Sequence, residues 1–295
     1  MARRSSVDNR ARLRRFMDKI TLHDGDMADT GSIWRMLSDI QPNEIYNLAA
    51  QTHVAVSFAQ AEYTADINAL GVTRILDAMR TVCPTAKFYQ ASTSELFGQG
   101  GGDLSENSPM MPASPYGAAK LYAFNMVRIY RQAYGLFACN GILFNHESPR
   151  RGNDFVTSKI GSFAQQLRDG IWNGEPLQLG NLDAHRDWGH ARDYVDGMWR
   201  MMQADHADDF VLATGVSKSV RDFVNAAIPG LVWSGQGMDE TASHADGRVV
   251  VKIDAGLFRP IDVPALRGDS AKARDRLGWT PQTDFHTLVS EMTAA

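Results

Sequence analysis

The chain has 295 residues, 44% of them hydrophobic, a formal net charge of −4 and an isoelectric point near 6.1. That is ample for a large core in one domain or two intimately connected ones, and the acidic balance argues against nucleic acid as a general partner. No run approaches the apolar length of a bilayer span, so no membrane is expected.

Cys83 and Cys139 suit a reducing compartment and offer no metal-ligand spacing, which points to the cytoplasm and to no metal. The first fifteen residues carry Arg3, Arg4, Arg10, Arg12, Arg14 and Arg15 against one acid, Asp8. They resemble a basic targeting arm only superficially, because a phosphate ligand or a solvated face explains them as well.

In chain order, apolar runs alternate with helical patterns. A strand is predicted over Ile20–His23, then a helix around Ile33–Leu37; a strand over Glu44–Ala50, then a helix through Ile67–Leu76. A strand over Lys87–Thr93 precedes a helix over Tyr116–Tyr134, and one over Ala138–His146 precedes a helix over Phe155–Asp169. Such alternation predicts a Rossmann-like, doubly wound parallel sheet with helices on both faces and a ligand crevice at the strand ends. Beyond Arg151 the rhythm loosens, with helices over Asp193–Met202 and Ser219–Ile228, a strand over Phe210–Ala213 and a helix closed by Leu277-Gly-Trp-Thr-Pro281. The division expected is a nucleotide-binding region over 1–150, with later segments returning to it, and a smaller α/β region over 151–295 that contributes substrate-side loops and helices.

Chemistry concentrates in Ser92-Thr93-Ser94-Glu95 and Tyr116-Gly-Ala-Ala-Lys120. A Tyr and a Lys four apart share one helix face, so the ammonium can lower the phenol's pKa and make Tyr116 a base near neutral pH. The pair alone also fits an ordinary amphipathic helix. Here Lys87–Thr93 reads as a buried strand ending in hydroxyls, and Ser114-Pro115 is a helix-start signal, so strand end and helix start converge.

The runs Tyr46-Asn-Leu-Ala-Ala-Gln-Thr-His-Val-Ala-Val-Ser-Phe58, Tyr63-Thr-Ala-Asp66, Ser92-Thr-Ser-Glu95, Asn140-Gly-Ile-Leu-Phe-Asn-His-Glu-Ser-Pro-Arg-Arg-Gly152, Arg186-Asp-Trp-Gly-His190 and Phe258-Arg-Pro260 carry a resemblance over essentially the whole chain. The sequence resembles the GDP-mannose 4,6-dehydratase family of the extended short-chain dehydrogenase/reductase superfamily. The resemblance implies retained NADP, oxidation at sugar C4, loss of water across C5 and C6, and hydride return to C6. By position, Tyr116 would take the 4-hydroxyl proton, Lys120 would hold the phenolate and the nicotinamide ribose, Thr93 would bind the C4 oxygen, and Glu95 would take the C5 proton. Oxidation to a 4-ketone acidifies C5, so a carboxylate suffices as base there. Without the motif, Glu95 would read as a solvated residue or a helix cap.

The resemblance further implies cofactor contacts from Arg3, Arg4 and Ser5 at the 2′-phosphate, which favour NADP over NAD. It adds Asp26 and Met27 near the adenine, Leu48, Ala49, Ala50, Gln51 and Thr52 along the pyrophosphate and ribose, and Tyr63, His146 and Arg151. On their own, Asp26 reads as a turn residue and His146 as a core histidine. For GDP-mannose it implies Asn145, Lys159, Arg186, Arg259 and Asp262, with planar guanidiniums suited to a diphosphate or a guanine face. Asp262 is a departure, since the family more often has Glu there. A homo-oligomer, dimer or tetramer, is also implied.

The family opens with a strand, a Gly-x-x-Gly-x-x-Gly turn and a helix, which do not precede Arg3, and Gly98-Gln-Gly-Gly-Gly102 is no substitute because it follows the strand of Glu95. The chain is therefore expected to be a fragment or misplaced start of a normal enzyme, or a shortened homologue with weak cofactor retention. Three functions stay open: the lyase; a GDP-sugar epimerase or reductase, which needs no acid at Glu95; and an inactive homologue or nucleotide-sugar-binding subunit.

Overall fold

The computed structural model describes residues 1–3, 11–258, 261 and 263–294. The chain divides into two compact units, one of Met1–Gly98, Met110–Ile142 and Met198–Phe210, the other of Gln99–Pro109, Leu143–Gly197 and Val211–Ala295.

The first unit holds parallel strands Glu44–Asn47, Lys87–Ala91 and Ala138–Leu143, neighbours in that order, and strand Asp209–Leu212 completes the sheet. Phe88, Tyr89, Ala138 and Cys139 are fully buried, as expected of strands covered on both faces. Helix Thr30–Ile40 begins where Asp29 accepts the Gly31 N–H at 2.9 Å and ends at Gln41 in the left-handed region, φ 47°. Its Ile33 and Leu37 face Val72, Ile75, Leu76 and Met79 of helix Gly71–Val82, whose spacing forms one apolar stripe. Each large side chain so buried contributes roughly 1.5–3 kcal/mol before conformational entropy is counted.

Two expectations are corrected here. Ile20–His23 is not a strand: the segment pairs with Ala2 only through an isolated bridge at Asp24, and Ile20 is exposed. Hydrophobic character without a paired neighbour does not make a ladder. The helix through Ile67–Leu76 is real but interrupted, since Ala61–Ala65 and Gly71–Val82 are α-helical while Asp66–Leu70 is a π-turn.

In the second unit, helices Val156–Arg168, Val220–Ala227 and Phe285–Ala294 pack around Ile160, Phe163, Phe223, Val224, Leu288 and Val289. Gly161 permits one close crossing, because a Cβ there would lie 2.7 Å from the Met292 carbonyl oxygen. Helix Val220–Ala227 carries a capping box in which Ser219 and Asp222 satisfy each other's N–H groups. Strand His185–His190 lies between Asn145–Glu147 and Ser217–Ser219. Among the described residues, no helix is long and apolar enough to cross a membrane.

Candidate active site

The strand Lys87–Ala91 delivers Ser92 and Thr93 in extended backbone, and Thr93 caps the 3-10 turn Ser94–Phe97 by accepting the Glu95 N–H at 3.2 Å. Leu96 and Phe97 are buried and pin that turn to the core, leaving Glu95 half-buried. Because Thr93 Oγ1 already accepts from the backbone, its own hydroxyl proton can be donated to a substrate oxygen.

Helix Pro115–Tyr134 begins as the sequence predicts. Ser114 Oγ accepts the Gly117 N–H at 3.0 Å, and Pro115 occupies the first turn, where a missing N–H costs nothing. Ser57 Oγ accepts the Tyr116 N–H at 3.1 Å and donates to the Val54 carbonyl at 2.6 Å. Gly117 lies on the backbone of the Glu95 turn, so that Thr93, Glu95 and Tyr116 are gathered at one strand end.

One helical turn on, Lys120 is 3% exposed, donates to the Ala91 carbonyl at 2.8 Å and places Nζ 5.9 Å from the Tyr116 ring centroid. Burial pulls its pKa down from the ordinary lysine value to about 8, which leaves it charged at neutral pH but close to titration. Gln90 Nε2 also donates to Ala91 O at 3.0 Å. Its Oε1 accepts from Asn47 Nδ2 at 2.8 Å, and Asn47 Oδ1 accepts the Ala49 N–H at 3.2 Å. A file of hydrogen bonds thus links the loop of residues 48–52 to the lysine.

That loop is fixed from below by Asn68, whose side-chain amide accepts the Gln51 N–H and donates to the Gln51 carbonyl, both at 2.8 Å. Leu48 is 57% exposed at the sheet edge, Ala49 and Thr52 are exposed, and Ala50 and Gln51 are half-buried. Tyr63 is brought beside Arg3, whose Nη1 donates to the phenolic oxygen at 3.1 Å. Asp26 closes a turn by accepting the Ala28 N–H at 2.9 Å. Met27 sends its side chain into the core, and its carbonyl accepts from Arg74 at 2.9 Å. Arg4, Ser5, Arg259 and Asp262 lie outside the described residues.

The second unit holds Asn145, His146, Arg151, Lys159 and Arg186. Asn145 and His146 stand on strand Asn145–Glu147, paired with Trp188 and Gly189. His146 Nδ1 lies 2.9 Å from the Phe144 carbonyl, which can only accept, so Nδ1 carries the proton. Burial pushes the ring's pKa down, the ring stacks on Tyr194 at 5.0 Å, and a neutral imidazole so held presents Nε2 as an acceptor. The Arg151 guanidinium lies over the Phe155 ring, 3.6 Å from its centroid, with Nε 3.0 Å from Glu147 Oε2 although the N–H is not aimed along that line. Lys159 is exposed on helix Val156–Arg168. Arg186 is buried and donates to the carbonyls of His185 and Val263, each at 2.8 Å.

Ser57, Asn68 and Gln90 were not singled out from the sequence: Ser57 and Asn68 act on the backbone of Tyr116 and Gln51, and Gln90 on the Ala91 carbonyl that Lys120 also uses. Gly98-Gln-Gly-Gly-Gly102 is a loop leading into strand Asp103–Leu104, with Gly101 and Gly102 in open space, and no helix starts from it. A surface cleft of about 410 Å³ between helices Thr30–Ile40 and Gly71–Val82 contains none of these residues, and its Arg74 is committed to Asp66 and to the Met27 carbonyl.

Residues 1–292 match the family described as GDP-mannose 4,6 dehydratase. The chain belongs to that family. It is 48% identical to GDP-mannose 4,6 dehydratase 2 of Caenorhabditis elegans, over 99% of this chain and 80% of that one. It is 48% identical to GDP-mannose 4,6 dehydratase of Homo sapiens, over 93% and 75%, and 51% identical to that of Sinorhizobium fredii, over 92% and 79%. Solved structures share the fold at lower identity. RMD from Pseudomonas aeruginosa complexed with NADPH superposes with a TM-score of 0.78 at 20% identity, covering 96% of this chain and 93% of that one. The dTDP-glucose 4,6-dehydratase DesIV from Streptomyces venezuelae, with NAD bound, gives 0.79 at 23%, covering 97% and 83%.

Proposed function

We propose that this GDP-mannose 4,6-dehydratase family member converts GDP-mannose to GDP-4-keto-6-deoxymannose and water, using NADP. The observation that carries the reading is Glu95: an acid seated in the turn that Thr93 caps, against the start of the Tyr116 helix. An epimerase or a reductase working at C4 has no use for a carboxylate there, whereas elimination across C5 and C6 needs one.

The residues present fit a nicotinamide dinucleotide. In the first unit a buried ammonium stands behind Tyr116, and Arg3, hydrogen-bonded to the Tyr63 hydroxyl, supplies a cation suited to a 2′-phosphate. Such a cofactor, when bound, supplies hydride acceptance from C4 and its return to C6. Tyr116, its phenolate favoured by Lys120, removes the 4-hydroxyl proton. Thr93 donates its hydroxyl proton to the same oxygen, orienting it. Glu95 then takes the C5 proton, acidified by the adjacent carbonyl, and passes a proton to the departing C6 hydroxyl. Asn145, Lys159 and Arg186, with Arg259 and Asp262, hold the GDP moiety in this reading, and NADP is preferred over NAD because Arg3, Arg4 and Ser5 favour a 2′-phosphate.

The test is to incubate purified chain with GDP-mannose and NADP and follow loss of one water from the sugar nucleotide by mass spectrometry, with Glu95→Gln beside it. Dehydrated product that the substitution abolishes supports the reading. A C4 epimer or a reduced sugar instead, or product undiminished in Glu95→Gln, overturns it.

A further inference from the structure

Glu147 has no part in the chemistry above, yet it is 2% exposed and charged groups are seldom buried so fully without a task. Its Oε2 is shared. Thr157 Oγ1 donates to it at 2.8 Å, and Arg151 Nε lies 3.0 Å away. Thr157 is itself 1% exposed and sits in the first turn of helix Val156–Arg168. That helix has Phe155 at its N-cap with no side-chain cap hydrogen bond, so a carboxylate close to its first turn supplies the negative charge that exposed N–H groups and the helix dipole favour. Lys159 stands two residues further along the same turn, with its N–H bonded to the Phe155 carbonyl at 3.0 Å.

We propose that Glu147 is a positioning residue that sets two binding arms at once: Arg151, directed toward the cofactor, and the first turn of the helix bearing Lys159, directed toward the nucleotide sugar. The proposal rests on the reading of Arg151 and Lys159 given above. The carboxylate charge serves the first arm, holding the guanidinium between itself and the Phe155 ring. Its acceptor oxygen serves the second, through the Thr157 hydroxyl. The strand Asn145–Glu147 therefore does more than present Asn145 and His146, because its last residue fixes the orientation of groups four and ten positions downstream.

The two legs separate by substitution. NADPH binding is read by fluorescence titration and GDP binding by calorimetry, each on the full chain, with melting temperature recorded alongside. Arg151→Ala and Lys159→Ala are the benchmarks and should weaken NADPH and GDP respectively by about ten-fold. Glu147→Gln keeps an acceptor for Thr157 but loses the charge, and should weaken NADPH by about ten-fold while GDP binding stays within about two-fold. Thr157→Val keeps the charge and should weaken GDP by about three-fold while sparing NADPH.

A purely structural Glu147 would lower melting temperature and both affinities together in Glu147→Gln, and that result overturns the proposal. So does unchanged NADPH binding in Glu147→Gln when Arg151→Ala loses it. If both benchmarks bind normally, the assignment of Arg151 and Lys159 falls, and the proposal with it.

Discussion

Gly117 presses its Cα hydrogens against the Glu95 carbonyl: a Cβ at residue 117 would come within 2.8 Å of that oxygen and 2.9 Å of Pro112 Cβ. The helix carrying Tyr116 and the turn carrying Glu95 are therefore spaced by the absence of a side chain. Gly117→Ala would gain helix propensity, worth about 1 kcal/mol, but must push backbone away from backbone. We expect a fall in kcat of at least about ten-fold with KM for GDP-mannose little changed, since a small misplacement of reacting groups is expensive. Steady-state kinetics with a melting curve check it, and unchanged kcat would show that the spacing is not needed.

Lys120 predicts the alkaline limb of the pH profile. Its folded pKa of about 8 is below the ordinary lysine value of 10.5, so activity that depends on the ammonium should decline above about pH 8. Lys120→Arg should move that limb upward, because a guanidinium keeps its charge. The linkage sign is set by the depressed pKa of a base. Below pH 8 both states carry the proton and the burial cost, on the order of 3 kcal/mol, is fully present. Between pH 8 and 10.5 the unfolded chain binds more protons, so stability from this group rises with pH. Chemical denaturation across that range, compared with Lys120→Met, reads the slope.

Arg3 and Tyr63 meet on the surface, and an exposed contact of this kind contributes little to folding. Arg3→Ala should leave the melting temperature unchanged, raise the NADPH dissociation constant by about ten-fold and hardly alter NADH. Tyr63→Phe should have the smaller effect. Equal losses for both dinucleotides in Arg3→Ala would remove this arginine from 2′-phosphate recognition.

Asn68 satisfies both backbone groups of Gln51 from within the helical run. Truncation to Ala leaves the half-buried Gln51 N–H and carbonyl without this partner and should cost about 1–2 kcal/mol, with local loosening of residues 48–53. Hydrogen exchange should show early loss of protection at the Gln51 amide, together with weaker NADPH binding. Asn68→Asp keeps the acceptor for the Gln51 N–H but sets a buried carboxylate oxygen against the Gln51 carbonyl, and should cost at least as much as the truncation.

How much of this was legible beforehand depended on the kind of residue. The Ser114-Pro115 start and the adjacency of Tyr116 and Lys120 could be read locally, because a helix makes four-residue separations adjacent and Ser-Pro has a local cause, whereas a role for the pair needed the surrounding motifs. The parallel strands Glu44–Asn47, Lys87–Ala91 and Ala138–Leu143 were visible as apolar runs for the same reason. Ile20–His23 misled because strand formation is decided by a partner elsewhere in the chain. Strand His185–His190 escaped notice because its residues read as polar. It is buried only because Arg186 reaches the Val263 carbonyl and Asp187 accepts from Thr214, Gly215 and Gly268. Ser57, Asn68 and Glu147 were equally opaque, since their partners are backbone or lie across a turn.

Asp209 receives both Arg131 nitrogens at 2.9 Å and Asn140 Nδ2 at 2.9 Å, while Lys87 reaches the Met202 carbonyl and Gln203 reaches Glu44. The first unit is thus finished by residues 198–210, which the ribosome makes only after the intervening stretch of the second unit. During synthesis Arg131 and Asn140 must wait for their carboxylate partner, Asp209, for roughly 3–14 seconds at ordinary elongation rates of about 5–20 residues per second. The first unit can therefore close only once residue 210 has been made, with residues 143–197 of the second already synthesised but still lacking their partners from 211 onward. Until then the strand Ala138–Leu143 presents an unpaired edge, which is open to wrong pairing.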